Sequence, residues 1–238
     1  MTEDRADSVL APPRAEPMAH PHRTTFDQEM AAIKDSVLRM ASLVEGQIRA
    51  AMAALVRHDA DAALQVIHDD AGINEVMRAV TSQVTAVIAT QAPVARDLRF
   101  LLTLDHVAYE LERMGDHAGS VAKQARKMAS QPPLKQYVDL PELGETVARQ
   151  VRGIIRALVD VDQATAREVA AGDDDVDALY HRIFDDVLEL MRAHPDNVDR
   201  GTRILFAAHY LERIGDRVTN IAEDIVFLAS GDVEDLNP

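Results

Sequence analysis

The sequence has no cysteine and no tryptophan, and only 4% of its residues are aromatic. Without cysteine there is no disulfide framework, no thiolate metal ligand and no thiol nucleophile, which suits a cytoplasmic compartment. With so few aromatics, the core of a chain that is 47% hydrophobic must be built from Ala, Val, Leu, Ile and Met, the palette of a helix bundle. No apolar run approaches the roughly 20 residues that span a bilayer, and the opening segment lacks the apolar stretch of a signal peptide, so no direct membrane insertion is expected. Basic residues are outnumbered, 25 against 40 acidic, for a formal net charge of -15. That balance argues against a nucleic-acid surface and against adhesion to anionic lipid, and favours cations and basic patches on partners. Ser-His-Asp, Gly-rich phosphate loops, His-Glu-x-x-His and the Glu-x-x-His of di-iron bundles are also missing, so no catalytic residues are expected.

What is present is a duplication. Glu112-Arg113-Met114-Gly115-Asp116 returns one hundred positions later as Glu212-Arg213-Ile214-Gly215-Asp216, and the flanking apolar positions keep their character, so the chain reads as two copies of one module. Each copy retains two unfavourable choices. Like charges four apart on a helix repel by roughly 0.2 to 0.5 kcal/mol, and a helix-interior Gly costs about 1 kcal/mol relative to Ala. A cation between the carboxylates would remove the first cost, and close approach of a neighbouring group would explain the second.

Apolar spacing of three and four places six long helices. In the first module Phe26, Met30, Ile33, Val37, Met40, Val44, Ile48, Met52 and Leu55 mark one helix, ending near His58. Ile73, Met77, Val80, Val84 and Val87 mark a second that stops before Pro93, and a third runs from about Val94 to Ala125. In the second module the first helix begins near Leu143 and is expected to reach Gly172, the second runs from Asp173 to Pro195, and the third stops at Gly231. The fold expected is all-α, two tandem pseudo-symmetric three-helix bundles over 24–131 and 132–238, behind a disordered Pro-rich tail over 1–23.

Each second helix also carries oxygen donors four apart, Asp70 with Asn74 and Asp173 with Asp177. Antiparallel neighbours could bring these to Glu112 and Asp116, and to Glu212 and Asp216. Such oxygen-rich sets suit Fe, Mn, Mg or Ca, with zinc open to carboxylates and a nearby His. A single Glu-x-x-x-Asp is more often a solvated helix face, and an acidic first turn more often answers the helix dipole.

Leu111 to His117, Leu211 to Arg217, Asp97-Leu98-Arg99, Phe26 opening a long helix and Asn220-Ile-Ala-Glu223 together resemble the PhoU family of phosphate-signalling regulators, over residues 24 to 231. The resemblance implies multinuclear iron or zinc clusters held by the Glu/Asp-x-x-x-Asp pairs. It also implies repression of phosphate-starvation signalling by coupling a phosphate ABC transporter, through its ATPase subunit, to a sensor histidine kinase, with recruitment to the membrane through those partners. The ligands carried over are Asp70, Asn74, Glu112 and Asp116, then Asp173, Asp177, Glu212 and Asp216. Asn74 stands where a carboxylate is expected and Lys123 where the second copy has Glu223, so a weaker first cluster is expected. Iron, zinc or manganese fit these donors, and a homodimer is left open. A metal-dependent hydrolase or redox enzyme and a metal-free helical scaffold are the alternatives.

Overall fold

The computed structural model describes residues 21 to 236, so most of the tail expected over 1–23 lies outside the described residues. Six long helices form the molecule, with no strand among the described residues. They are α1 (Pro21–Arg57), α2 (Ala60–Gln91) and α3 (Ala95–Met128), then α4 (Asp139–Asp160), a short α5 (Gln163–Ala171), α6 (Asp173–Ala193) and α7 (Val198–Ser230), the last entered through a 3-10 turn, Pro195–Asn197. At 37 residues α1 is about 55 Å long.

The short α5 corrects the expectation that the first helix of the second half runs on to Gly172. That helix ends at Val161, in the left-handed region (φ 52), as α1 ends at His58 (φ 54). The following Asp then caps the next helix in each half. Asp59 Oδ1 accepts from Ala62 N at 2.9 Å, and Asp162 Oδ1 from Ala164 N at 3.0 Å, satisfying backbone donors that would otherwise be orphaned. Asp162 lies 103 residues beyond Asp59, and the same offset carries Gln47 to Gln150, Asp70 to Asp173 and Asn74 to Asp177. Thus α5 and α6 together are the counterpart of α2, broken at Gly172. Asp70 lies inside α2 rather than in its first turn, whereas its counterpart Asp173 opens α6.

One apolar core runs through both halves. The two motif helices, α3 and α7, pack against each other, and the pairs Glu110–Arg217 and His117–Tyr210 fix them as antiparallel. Small buried residues at the motif helices (Ala108, Gly115, Ala118 and Ala122, then Ala208, Gly215 and Ala222) let backbones approach without aromatic filler. Those two contacts occupy equivalent places, since residue 110 corresponds to 210 and 217 to 117. One place holds an ion pair and the other a ring stack with centroids 6.0 Å apart.

Polar ties also cross between the halves. Glu45 of α1 accepts from Arg152 of α4 and from Arg49, and these two guanidiniums hold its carboxyl down at about 2. Glu110 is only 3% exposed and accepts from Arg217 Nη1 at 3.3 Å and Asn220 Nδ2 at 3.4 Å, with His106 Nε2 at 3.5 Å. Removing one partner of a buried pair leaves a charge without compensation. Arg217→Ala should therefore cost on the order of 3 kcal/mol in chemical denaturation, and adding Glu110→Gln should restore most of it. A loss under about 0.5 kcal/mol would show that Glu110 is stabilised without the arginine.

Candidate metal centre

Three helices build each candidate centre. In the first half α1 contributes Gln47, α2 contributes Asp70 and Asn74, and α3 contributes Glu112 and Asp116. In the second half α4 contributes Gln150, α6 contributes Asp173 and Asp177, and α7 contributes Glu212 and Asp216.

The glycine inside each motif sits where a neighbour comes close. A Cβ on Gly215 would lie 2.8 Å from Asp173 Oδ1 and 3.2 Å from Val176 Cγ1, and one on Gly115 would lie 3.1 Å from Ile73 Cδ1 and 3.2 Å from Gln47 Oε1. The helix gives up propensity there so that the second helix, and the side chain that leads its donor pair in the second half, can press against it. Gly215→Leu should cost about 1 to 3 kcal/mol through overpacking, read as a lower denaturation midpoint. Gly72→Ala, where nothing lies within 4 Å of the added Cβ, should instead gain up to about 1 kcal/mol. A neutral Gly215→Leu would show that Asp173 and Val176 move aside without penalty.

The electrostatics separate the two sets. Burial first, then the charges of Asp216 and Asp177, push Glu212 up to about 7. Burial, then Asp177 and Asp216, push Asp173 up to about 6, and Asp216 is raised for the same kind of reason. Glu112 is raised by burial, then by Asp116 and, more weakly, Asp70. Four carboxylates therefore crowd the second set, and three the first, where Asn74 donates through Nδ2 to Asp70 Oδ2 at 3.3 Å. The arginines of the motifs stay on their own helices rather than reaching a neighbour. Arg113 bonds Tyr109 at 2.9 Å and Asp116 at 3.4 Å, and Arg213 Nε lies 3.5 Å from Asp216 Oδ2. His209 Nδ1 is 3.2 Å from Glu212 Oε2. Glu223, the counterpart of Lys123, is engaged elsewhere and accepts from Leu236 N at 3.0 Å.

Among the described residues no three His, Asp or Glu side chains stand close enough to form a preassembled metal site. The donors nevertheless fit a hard cation. Glu112 Oε2 and Glu212 Oε2 are both buried without a hydrogen bond, as are Gln47 Oε1 and Gln150 Oε1. Glu112 Oε2 lies 3.6 Å from Arg113 Nε and Glu212 Oε2 3.2 Å from His209 Nδ1, yet buried oxygens that make no hydrogen bond still cost stability. Reading the motifs alone misses Gln47 and Gln150, although their shared 103-residue offset marks them. The structure brings Gln47 to Asp70, with Nε2 donating to Oδ1 at 3.4 Å, and sets Gln150 Nε2 3.2 Å from where a Cβ on Gly172 would lie. The counterpart of Gly119, where an added Cβ would lie 4.0 Å from Asp70 Oδ1, is Thr219, buried and with Oγ1 unpartnered.

The PhoU domain family matches this chain twice, over residues 37–125 and 140–225. A phosphate-specific transport system accessory protein PhoU homolog of Clostridium acetobutylicum is 35% identical over 90% of this chain and 99% of its own length, and one of Rhizobium meliloti is 32% identical over 90% and 91%. The crystal structure of PhoU from Pseudomonas aeruginosa superposes with a TM-score of 0.83 at 31% identity, covering 87% of this chain and all of that one. A phosphate transport regulatory PhoU from Streptococcus pneumoniae superposes at 0.81 and 26% identity, covering 88% and 99%. The chain belongs to the PhoU family.

Proposed function

We propose that this PhoU family member is a non-enzymatic accessory of phosphate-specific transport that represses phosphate-starvation signalling. In this reading it couples the state of the transporter, through its ATPase subunit, to a sensor histidine kinase. The observation that carries the proposal is the likeness of both repeats, over nearly the whole chain, to relatives that are themselves phosphate-transport accessory proteins. In this reading the protein acts from the cytoplasm and reaches the membrane through protein contacts; no helix among the described residues is long and apolar enough to cross a membrane.

Cations belong to the same reading. Asp173, Asp177, Glu212 and Asp216 hold one or more ions of iron, zinc or manganese, and Asp70, Asn74, Glu112 and Asp116 hold a weaker set. The bound cation supplies positive charge to carboxylates that otherwise repel one another. The buried Glu112 and Glu212 oxygens, which make no hydrogen bond, support this, as does the rise in Glu212 to about 7. Deleting the chain from cells tests the signalling role, and elemental analysis tests the cations.

A further inference from the structure

A hydroxyl inside a helix has a partner at hand, because it can donate to the carbonyl four residues back on its own helix. Seven hydroxyls among the described residues do so, at 2.7 to 3.0 Å, including the buried Ser36 and, next to the first motif, Ser120. Thr219 of α7 does not. It is 3% exposed, and its Oγ1 makes no hydrogen bond. A buried hydroxyl left in this state costs the fold stability, although Gly215 stands four residues back on the same helix.

Helical spacing and the repeat both set this side chain beside the second carboxylate set. Glu212, Asp216 and Thr219 follow one another at intervals of four and three on α7, along one stripe of the helix. Thr219 also lies one turn beyond Gly215, where Asp173 Oδ1 would be 2.8 Å from an added Cβ. In the first half the same position is Gly119, and a Cβ there would stand 4.0 Å from Asp70 Oδ1 and 4.0 Å from Gln47 Nε2. Asp173 and Gln150 are the counterparts of those two residues. The side chain that Thr219 adds therefore projects towards the leading carboxylate and the glutamine of its own half.

A hydroxyl oxygen is a hard, neutral donor, of the kind that binds Mg2+ at nucleotide sites. Neutrality matters here, because a further carboxylate would add to the repulsion among the four already present. Four carboxylates can fill the four positions that zinc takes, whereas ions that prefer six oxygens, Mn2+ among them, ask for more. Thr219 Oγ1 and Gln150 Oε1, both buried without a hydrogen bond, are oxygens of that sort. The first half has no hydroxyl at this place, since Gly119 brings none.

We propose that Thr219 Oγ1 is a neutral oxygen ligand of the second centre and biases that centre towards six-coordinate, oxygen-bound divalent ions such as Mn2+ over zinc. The proposal rests on the cation reading of the second centre and adds to it a ligand and a preference.

The test uses the full chain, stripped of metal, with the first centre silenced by Glu112→Ala and Asp116→Ala. Into this parent Thr219→Val and Thr219→Ser are introduced singly, and each protein is titrated with Mn2+, followed by the spin-resonance signal of the free ion, and with Zn2+, followed by calorimetry. Thr219→Val should weaken Mn2+ binding about tenfold or more and Zn2+ binding by less than about threefold. Thr219→Ser, which keeps the oxygen, should stay within about twofold of the parent for Mn2+. The metal-free Thr219→Val protein should melt about 2 °C or more above the parent, because valine removes a buried hydroxyl that has no partner. A hydroxyl that only supports the fold would give the reverse, a lower midpoint. The proposal is overturned if Thr219→Val binds Mn2+ as the parent does, if Mn2+ and Zn2+ weaken equally, if Thr219→Ser is as weak as Thr219→Val, or if the metal-free midpoint of Thr219→Val falls. A parent that binds both ions while Thr219→Val changes neither loses only the threonine ligand. A parent that binds neither ion overturns the cation reading of the second centre, and this proposal with it.

Discussion

Cells that lose this chain should express phosphate-starvation genes while phosphate is plentiful. An adaptor that links two machines contributes a coupling free energy, and couplings of about 1 to 3 kcal/mol correspond to roughly 5- to 150-fold changes in output. A starvation-promoter reporter in phosphate-rich medium should therefore rise on the order of tenfold or more, and a plasmid copy of the intact chain should return it to the basal level. The chain's charge of -15 adds a second expectation. Recruitment to membranes holding the transporter and kinase should weaken as salt rises, because contacts between an acidic surface and basic partners are screened beyond about 8 to 10 Å at physiological ionic strength. Normal repression in the deletion strain, with no second copy of the gene to compensate, would refute the adaptor role. Salt-insensitive recruitment would refute only its electrostatic part.

Protein purified without chelator should carry more than about one equivalent of iron, zinc or manganese, and Glu212→Ala with Asp216→Ala should remove about half or more of it. The larger share is assigned to the second half because four carboxylates crowd there and Asn74 weakens the first. Ligating carboxylates must be ionised. With Glu212 pushed up to about 7 and Asp173 to about 6, uptake should fall steeply as pH drops from 8 to below 6. The metal-free protein should respond in the opposite sense. An acid whose folded value is raised binds its proton more tightly in the folded than in the unfolded state, so its stabilising contribution is present at low pH and is lost as pH rises towards about 7. Denaturation of the metal-free protein should show this loss between pH 4.5, the ordinary Glu value, and about pH 7. The loss should shrink in Glu212→Gln. Wild-type protein that stays metal-free after reconstitution with all three ions would refute the cation sites, whatever the pH dependence.

Much of this molecule can be read from its sequence because much of it is local. The 3.6-residue period placed all six long helices, Pro93 and Gly231 stopped two of them where expected, and the repeated Glu-x-x-Gly-Asp pointed to the two motif helices. The break at Val161 was misplaced to Gly172 because the apolar stripe continues across it. The matching cap residues Asp59 and Asp162 were the signal, visible once the halves are set 103 residues apart.

Tertiary structure alone decided what depends on residues distant in sequence. Nothing near Glu110 announces that Arg217 and Asn220 will cover it, since that pairing follows from the antiparallel packing of α3 on α7. Gln47 and Gln150 look like ordinary helix residues until a third helix sets Gln47 against Asp70 and Gln150 beside Gly172. Tyr180 and Phe206 belong to different helices, and the groove they share exists only where α6 lies along α7. Helix period is a property of neighbours three and four apart and is written in the chain. Burial of a charge or the meeting of two surfaces is a property of helix packing, and the same period is compatible with many packings.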